Sequence, residues 1–140
     1  MPKLLILAFY NNKLMEKKNK RPTEKFRNRP LEERKEKLEK LVNKNPNKVP
    51  IVFEKHRKSK LPGNEDAKFI STKNIKLGDL IRQLRDMWKL NDDTSLFFSC
   101  KNKAILKPDA LIGDLYEQCK EEDGYLYIQF REVETFGNAQ

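Results

Sequence analysis

The sequence predicts an α+β fold in which an amphipathic helix packs across a mixed β-sheet, with a further helix placed ahead of it. Three observations carry this expectation. Short apolar runs with strand character recur at Val49–Phe53, Lys68–Thr72, Ser95–Cys100 and Tyr125–Phe130. A helical stripe, Leu77, Leu80, Ile81, Leu84 and Trp88, falls between the second and third of them at offsets of 3, 4, 7 and 11. And 140 residues, 37% hydrophobic, suffice for one core that needs neither metal nor disulfide.

In chain order, residues 16–29 are basic and poor in large apolar side chains, Phe26 excepted. Pro30 then opens a helix, because its fixed φ suits a first turn and its missing N–H is no loss there. Leu31, Leu38, Leu41 and Val42 form the apolar stripe of that helix, and Glu32 and Glu33 sit in the first turn where the helix dipole favours them. Glu33–Lys37 and Glu36–Lys40 have the spacing of supporting ion pairs, and Asn45-Pro46-Asn47 ends the helix. In the strand that follows, Pro50 implies a strand start or an unpaired edge position. Leu61-Pro62-Gly63-Asn64 marks a turn within the His56–Ala67 loop.

Beyond the central helix, Asn91-Asp92-Asp93 is a break, with Arg82, Arg85, Asp86 and Lys89 turned outward before it. Ser95–Cys100 reads as a buried strand and Ala104-Ile105-Leu106 as a short one. Leu111, Ile112, Leu115, Tyr116 and Cys119 form a second helical stripe, and Glu121-Glu122-Asp123-Gly124 turns the chain into the last strand. Two strands, a crossover helix and more strands is the order of the ubiquitin-like β-grasp, here with an N-terminal helical extension. The added helix must bury its Leu38/Leu41 face, and the open face of the sheet is the place for it.

Several kinds of chemistry are excluded. His56 is the only histidine and lies between Lys55 and Arg57 in a polar loop, away from Cys100 and Cys119, which the patterning buries. The two cysteines have no zinc or redox spacing and read as free thiols of a reducing compartment. Glu121-Glu122-Asp123 reads as a solvated charge run, and five glycines form no phosphate loop or dinucleotide pattern. No enzyme activity, cofactor or metal is expected. No apolar run approaches the ~20 residues of a membrane span. Leu4–Tyr10 is only seven residues long and lacks a cleavage site, so it reads as part of an extension or an amphipathic anchor, with Met15 as an alternative start. The net charge of +9 is concentrated in the first half, where 19 Lys or Arg face 7 Asp or Glu in residues 1–60. That asymmetry suggests an anionic partner: membrane headgroups, acidic proteins or nucleic acid. Nucleic acid is the least favoured, because the cations are not interleaved with stacking aromatics and fit no known binding motif.

Taken together, Arg29-Pro30-Leu31-Glu32-Glu33-Arg34, Val49-Pro50-Ile51-Val52-Phe53-Glu54-Lys55, Lys58-Ser59-Lys60-Leu61-Pro62, Lys68-Phe69-Ile70, Leu96-Phe97-Phe98, Glu122-Asp123-Gly124-Tyr125-Leu126-Tyr127 and Thr135-Phe136-Gly137 resemble the GABARAP family of autophagy modifiers. The resemblance covers roughly Phe26 to Gly137 and divides the chain into a basic and apolar extension (1–25), a ubiquitin-like domain with N-terminal helices (26–137) and a removable tail (138–140). It implies a modifier that a cysteine protease cleaves after Gly137, removing Asn138-Ala139-Gln140. Activating and conjugating enzymes of the autophagy system would then carry the glycyl group as a thioester to the amine of phosphatidylethanolamine. The expected location is cytoplasmic, and the autophagosome membrane once lipid is attached. A glycine without Cβ can thread narrow enzyme channels in extended form. Two acyl chains, at ~0.8 kcal/mol per buried CH₂, far outweigh the ~1 kcal/mol a lysine gains beside anionic lipid. An unconjugated trafficking or cytoskeletal adaptor of the same fold is the alternative.

The resemblance also implies peptide recognition. Cargo receptors and adaptors would carry an aromatic residue, a branched or leucine residue three positions later, and acidic flanks. This motif would add as a strand at Lys68–Thr72 and fill two pockets. Matching positions place Leu41, Pro50, Val52, Lys68, Ile70 and Tyr125 at the first pocket. Phe69, Ile75, Leu80 and Leu84 fall at the second, with Arg85 nearby for acidic flanks. Leu80 and Leu84 also lie on the stripe that faces the sheet, so plain core is an equal reading for them. Micromolar affinity, about −8 kcal/mol, is the expectation. Ser71-Thr72 in place of Val-Pro, Lys37 in place of an acidic residue, Asp66 in place of a basic one and Asp86-Met87 in place of Lys-Arg imply weaker or altered partner choice, with conjugation unaffected.

Overall fold

The computed structural model describes residues 25–61, 66–91, 93–101 and 103–133. A 3₁₀ turn, Phe26–Asn28, leads into α1 (Leu31–Lys44). There follow β1 (Lys48–Lys55), β2 (Ala67–Thr72), α2 (Leu77–Trp88), β3 (Leu96–Ser99), α3 (Ile112–Cys119) and β4 (Leu126–Glu132). The four strands form one mixed sheet in the order β2-β1-β4-β3. β1 pairs antiparallel with β2 and parallel with β4, and β3 closes the far side antiparallel to β4. A parallel pair cannot be joined by a tight turn. The chain between β1 and β4 therefore carries β2, α2, β3 and α3, as the expected β-grasp requires.

Strand alternation assigns the two faces of this sheet. On one, Phe53 meets Phe69 at 5.2 Å and Phe98 at 6.2 Å between ring centroids, while Phe130 meets Trp88 of α2 at 5.0 Å. Leu77, Leu80 and Leu84 of α2 are fully buried there, as the helical stripe predicts. Val52, Glu54 and Tyr127 belong to the opposite face, where α1 and the 3₁₀ turn lie. Residues Val49 to Glu54 are consequently buried without a break, the pattern of a strand covered on both sides. Pro50 is tolerated in this central strand because pairing with β4 begins only at Ile51↔Leu126, leaving one side of its backbone unpaired.

The N-terminal elements are held by charge as much as by apolar contact. Leu38 and Leu41 pack on the core, but α1 has no fully buried residue. Arg34 reaches Asp123 at 2.6 Å, and Asp123 also accepts the Tyr127 hydroxyl and the Tyr125 N–H. Burial first, and the hydrogen bond to Asp123 second, push the Tyr127 hydroxyl pKa far up, so it stays a donor. Arg27 forks between Glu54 (2.9 and 3.0 Å) and Glu121 (2.9 and 3.1 Å) and lies 4.2 Å over the Tyr127 ring. Gly124 has φ +92°, and a Cβ there would run into Leu38 Cδ2, so the turn before β4 suits only glycine beneath α1.

Four expectations need correction. Ala104-Ile105-Leu106 is not a strand. Cys100 and Lys103 form a bridge, Leu106 donates its N–H to the Phe98 carbonyl, and Ile105 is 65% exposed, since an irregular loop fixes only one of three apolar side chains. Val42 is exposed because it falls at the rim of the α1 stripe. Cys119 is buried, but Cys100, at the end of β3, is only half-buried. Asp123 and Glu121 are not a solvated run, because the arginines of residues 27 and 34 fold back onto them.

Two predictions follow from these charges. Glu54 is 2% exposed and pairs with the Arg27 guanidinium at 2.9 Å. Arg27→Met should destabilise the protein by about 3 kcal/mol in urea denaturation, because it leaves a buried carboxylate uncompensated. Adding Glu54→Gln should recover part of that loss, and two simply additive effects would disprove the coupling. Glu132 accepts from Ser59 Oγ (2.6 Å) and the Lys60 N–H (2.7 Å), bonds that lower its pKa against the opposing effect of burial, the largest single influence. Because the folded pKa is the lower one, this stability is present above the unfolded carboxylate range and is lost as pH falls through the folded value. Glu132→Gln should therefore cost more at pH 7 than at pH 3, and an equal cost at both would contradict the assignment.

Candidate peptide-binding edge

β2 ends the sheet. Among the described residues it pairs only with β1, in the register Pro50↔Ile70 and Val52↔Lys68. Its outer side therefore offers backbone N–H and C=O groups to an added strand. Alternation splits the side chains along it. Lys68 and Ile70 share the face of Pro50, Val52 and Tyr125, whereas Phe69 points to the α2 side with Leu80 and Leu84. The ten residues assigned by resemblance to two pockets thus form two groups on opposite faces of one edge strand.

These side chains are mostly closed to solvent. Val52 is 0%, Ile70 2% and Tyr125 1% exposed, and Pro50 is buried with them. Leu41 is half-buried beside the core. On the other face Phe69, Leu80 and Leu84 are fully buried and Ile75 nearly so. Ile75 is tied to α3 through its carbonyl, which accepts the Ile112 N–H. Contact of a peptide with Leu80 or Leu84 requires that overlying groups move, and in this conformation both serve as core. Lys68 and Arg85 keep partial exposure. Arg85 donates to the Thr94 carbonyl at 2.6 Å and to Asn91 at 3.3 Å, so its guanidinium also fastens the loop after α2.

Two residues here have roles that the sequence assignment did not give them. Phe26 is 3% exposed and sets its ring edge-on to Tyr125 at 5.0 Å, while the Lys68 ammonium lies 4.5 Å over its face. Asp66, nearly buried, accepts the Phe26 backbone N–H at 2.9 Å. Its charge is directed inward, toward the N-terminal segment, and not toward an incoming partner. The available signal was Phe26 itself, the one large apolar residue in a basic stretch.

Gly137 and the segments 1–24 and 134–140 lie outside the described residues, as does Met15. His56 is in the loop after β1, where burial and the cations Arg131, Arg57, Lys58 and Lys25 hold its pKa below the ordinary value. It accepts the Lys58 N–H through Nδ1 at 3.1 Å, and Cys119 is buried in the core. Among the described residues no three His, Cys, Asp or Glu gather as metal ligands, and no helix is long and apolar enough to cross a membrane.

Comparison with known proteins joins these observations. The family model "Autophagy protein Atg8 ubiquitin like" matches residues 33–137. Autophagy-related protein 8d of Arabidopsis thaliana is 32% identical over 109 residues, covering 77% of this chain and 89% of that protein. Autophagy-related protein 8 of Kluyveromyces lactis is 29% identical over 109 residues, 78% of this chain and 87% of its own length. The crystal structure of Trypanosoma brucei ATG8 superposes with a TM-score of 0.70 at 28% identity, covering 80% of this chain and 96% of that one. A sheet of the β-grasp order, a helical addition on its second face and a match over three quarters of the sequence agree: this chain belongs to the Atg8 family of ubiquitin-like autophagy proteins, which are modifiers and not enzymes.

Proposed function

We propose that this chain is a GABARAP-type modifier that is cleaved after Gly137 and joined through that carboxyl to phosphatidylethanolamine. On the autophagosome membrane it would then gather cargo receptors and adaptors through a two-pocket edge. The observation that carries the lipid step is the extent of the family match, which continues past β4 through Thr135-Phe136 and stops at Gly137. The chemistry is acyl transfer. The glycyl thioester carried by a conjugating enzyme is attacked by the lipid's amine, an amide forms and the enzyme thiol leaves. Glycine suits this step because no Cβ widens the backbone where enzymes must grip it.

The peptide step is supported by the edge position of β2 and the division of its side chains between two faces. In an extended strand, side chains three residues apart point to opposite faces. A motif with an aromatic and a leucine at that spacing, laid along β2, directs one toward Val52, Ile70 and Tyr125 and the other toward Phe69. Each filled pocket contributes roughly 1.5–3 kcal/mol before ordering costs, consistent with micromolar affinity.

Incubation with the processing protease and the activating and conjugating enzymes of the autophagy system should shorten the protein by Asn138-Ala139-Gln140 and then attach lipid, both read by intact mass. Gly137→Ala should abolish the lipid adduct. If Gln140 survives on every molecule and no adduct forms, the chain acts instead as an unconjugated adaptor of the same fold. Addition of a synthetic aromatic-x-x-leucine peptide with acidic flanks should shift the amide resonances of Lys68–Thr72 ahead of those of β3. Shifts confined to β3 would place the partner surface elsewhere.

A further inference from the structure

We propose that the turn Phe26–Asn28 is a gate on the first pocket, with the Phe26 ring as its built-in occupant and Asp66 as its catch. This inference rests on the two-pocket reading of the β2 edge. The residues assigned to that pocket would be partly accessible in an open groove, yet Val52, Ile70 and Tyr125 are each no more than 2% exposed. Phe26 holds the environment an incoming aromatic would need. Its ring has an edge-on partner in Tyr125 at 5.0 Å and a cation over its face in Lys68 at 4.5 Å. Both contacts are attractive through the ring quadrupole, and neither residue can serve two aromatics in the same place at once.

The gate can open at Phe26 while Arg27 stays in place. Its internal backbone bonds are local, from the Asn28 N–H to the Lys25 carbonyl and from the Arg29 N–H to the Phe26 carbonyl, so it contributes no rung to the sheet. Asp66 ties it to the edge strand: the carboxylate takes the Phe26 N–H at 2.9 Å and stands 3.8 Å from the Lys25 ammonium. Asp66 immediately precedes β2, so a peptide pairing along that strand meets the catch at the strand's beginning. Arg27, clamped by Glu54 and Glu121, keeps the turn close when Phe26 leaves. A closed gate lowers the apparent affinity by the fraction of molecules that are open. Partner choice then depends on displacing Phe26 as well as on filling the pockets.

The test uses the full 140-residue chain, as wild type, Phe26→Ala and Asp66→Ala. Two synthetic peptides serve as probes, each with an aromatic and a leucine three positions later, one with acidic flanks and one with serine flanks. The serine-flanked probe separates release of the gate from the removal of a negative charge. Both variants should bind it about tenfold tighter than wild type, a difference of about 1.4 kcal/mol. Equal or weaker binding by both overturns the gate and makes Phe26 a wall of the pocket. Should Phe26→Ala fail to fold by circular dichroism, Asp66→Asn decides, with about threefold tighter binding expected and none overturning it. Absence of binding to all forms would count against the two-pocket reading. Amide hydrogen exchange over Lys68–Thr72 then judges the gate separately: faster exchange in the variants keeps it, and unchanged exchange rejects it.

Discussion

A β-sheet has two faces, and a chain of this size must cover both or leave apolar surface in water. Here the second face is covered by the N-terminal elements, and the Arg27 fork between Glu54 and Glu121 is the interaction on which that cover depends. α1 alone could not provide it, because it has no fully buried residue and contributes mainly Leu38 and Leu41. Hydrogen bonding to Glu54 raises the Arg27 pKa against the opposing effect of burial, so the cation persists at any ordinary pH. Removing Arg27 exposes the cost of Glu54, since a buried carboxylate without a counter-charge is far worse than a paired one.

The same constraint shapes the edge strand. Phe26 is brought over β2 because Arg27, the next residue, is fixed on the sheet. Asp66 and Lys68 then meet Phe26 from the start of β2. Cover and candidate site are therefore one piece of structure. If partners add at this edge, what lies over it can change partner choice while the sheet itself stays unchanged. Asp66, which stands where the family resemblance expects a basic residue, holds the chain's own backbone at Phe26.

The opposite face behaves as ordinary core. Phe53, Phe69, Phe98, Phe130 and Trp88 form a continuous set of ring contacts, with α2 sealing them through Leu77, Leu80 and Leu84. Access for a leucine from the β2 edge must therefore come from small movements between α2 and β2, at a cost set by close packing. This asymmetry separates the two candidate pockets physically: one is covered by a short turn, the other by a helix.

By itself the sequence determined the elements whose signals are local. The stripe Leu77, Leu80, Leu84 demanded a helix, the apolar runs demanded strands, and their order matched the β-grasp, while the edge position of β2 was implied by the family resemblance. Only the tertiary structure decided which charges are buried and what covers the sheet. Glu54, Asp66, Glu121 and Asp123 look alike in sequence with carboxylates that stay in water, because their partners Arg27, Phe26 and Arg34 lie between 27 and 94 residues away. Periodicity reports the face a residue presents within its own element. It carries no information on which distant side chain will meet that face, and the candidate gate arises from such meetings.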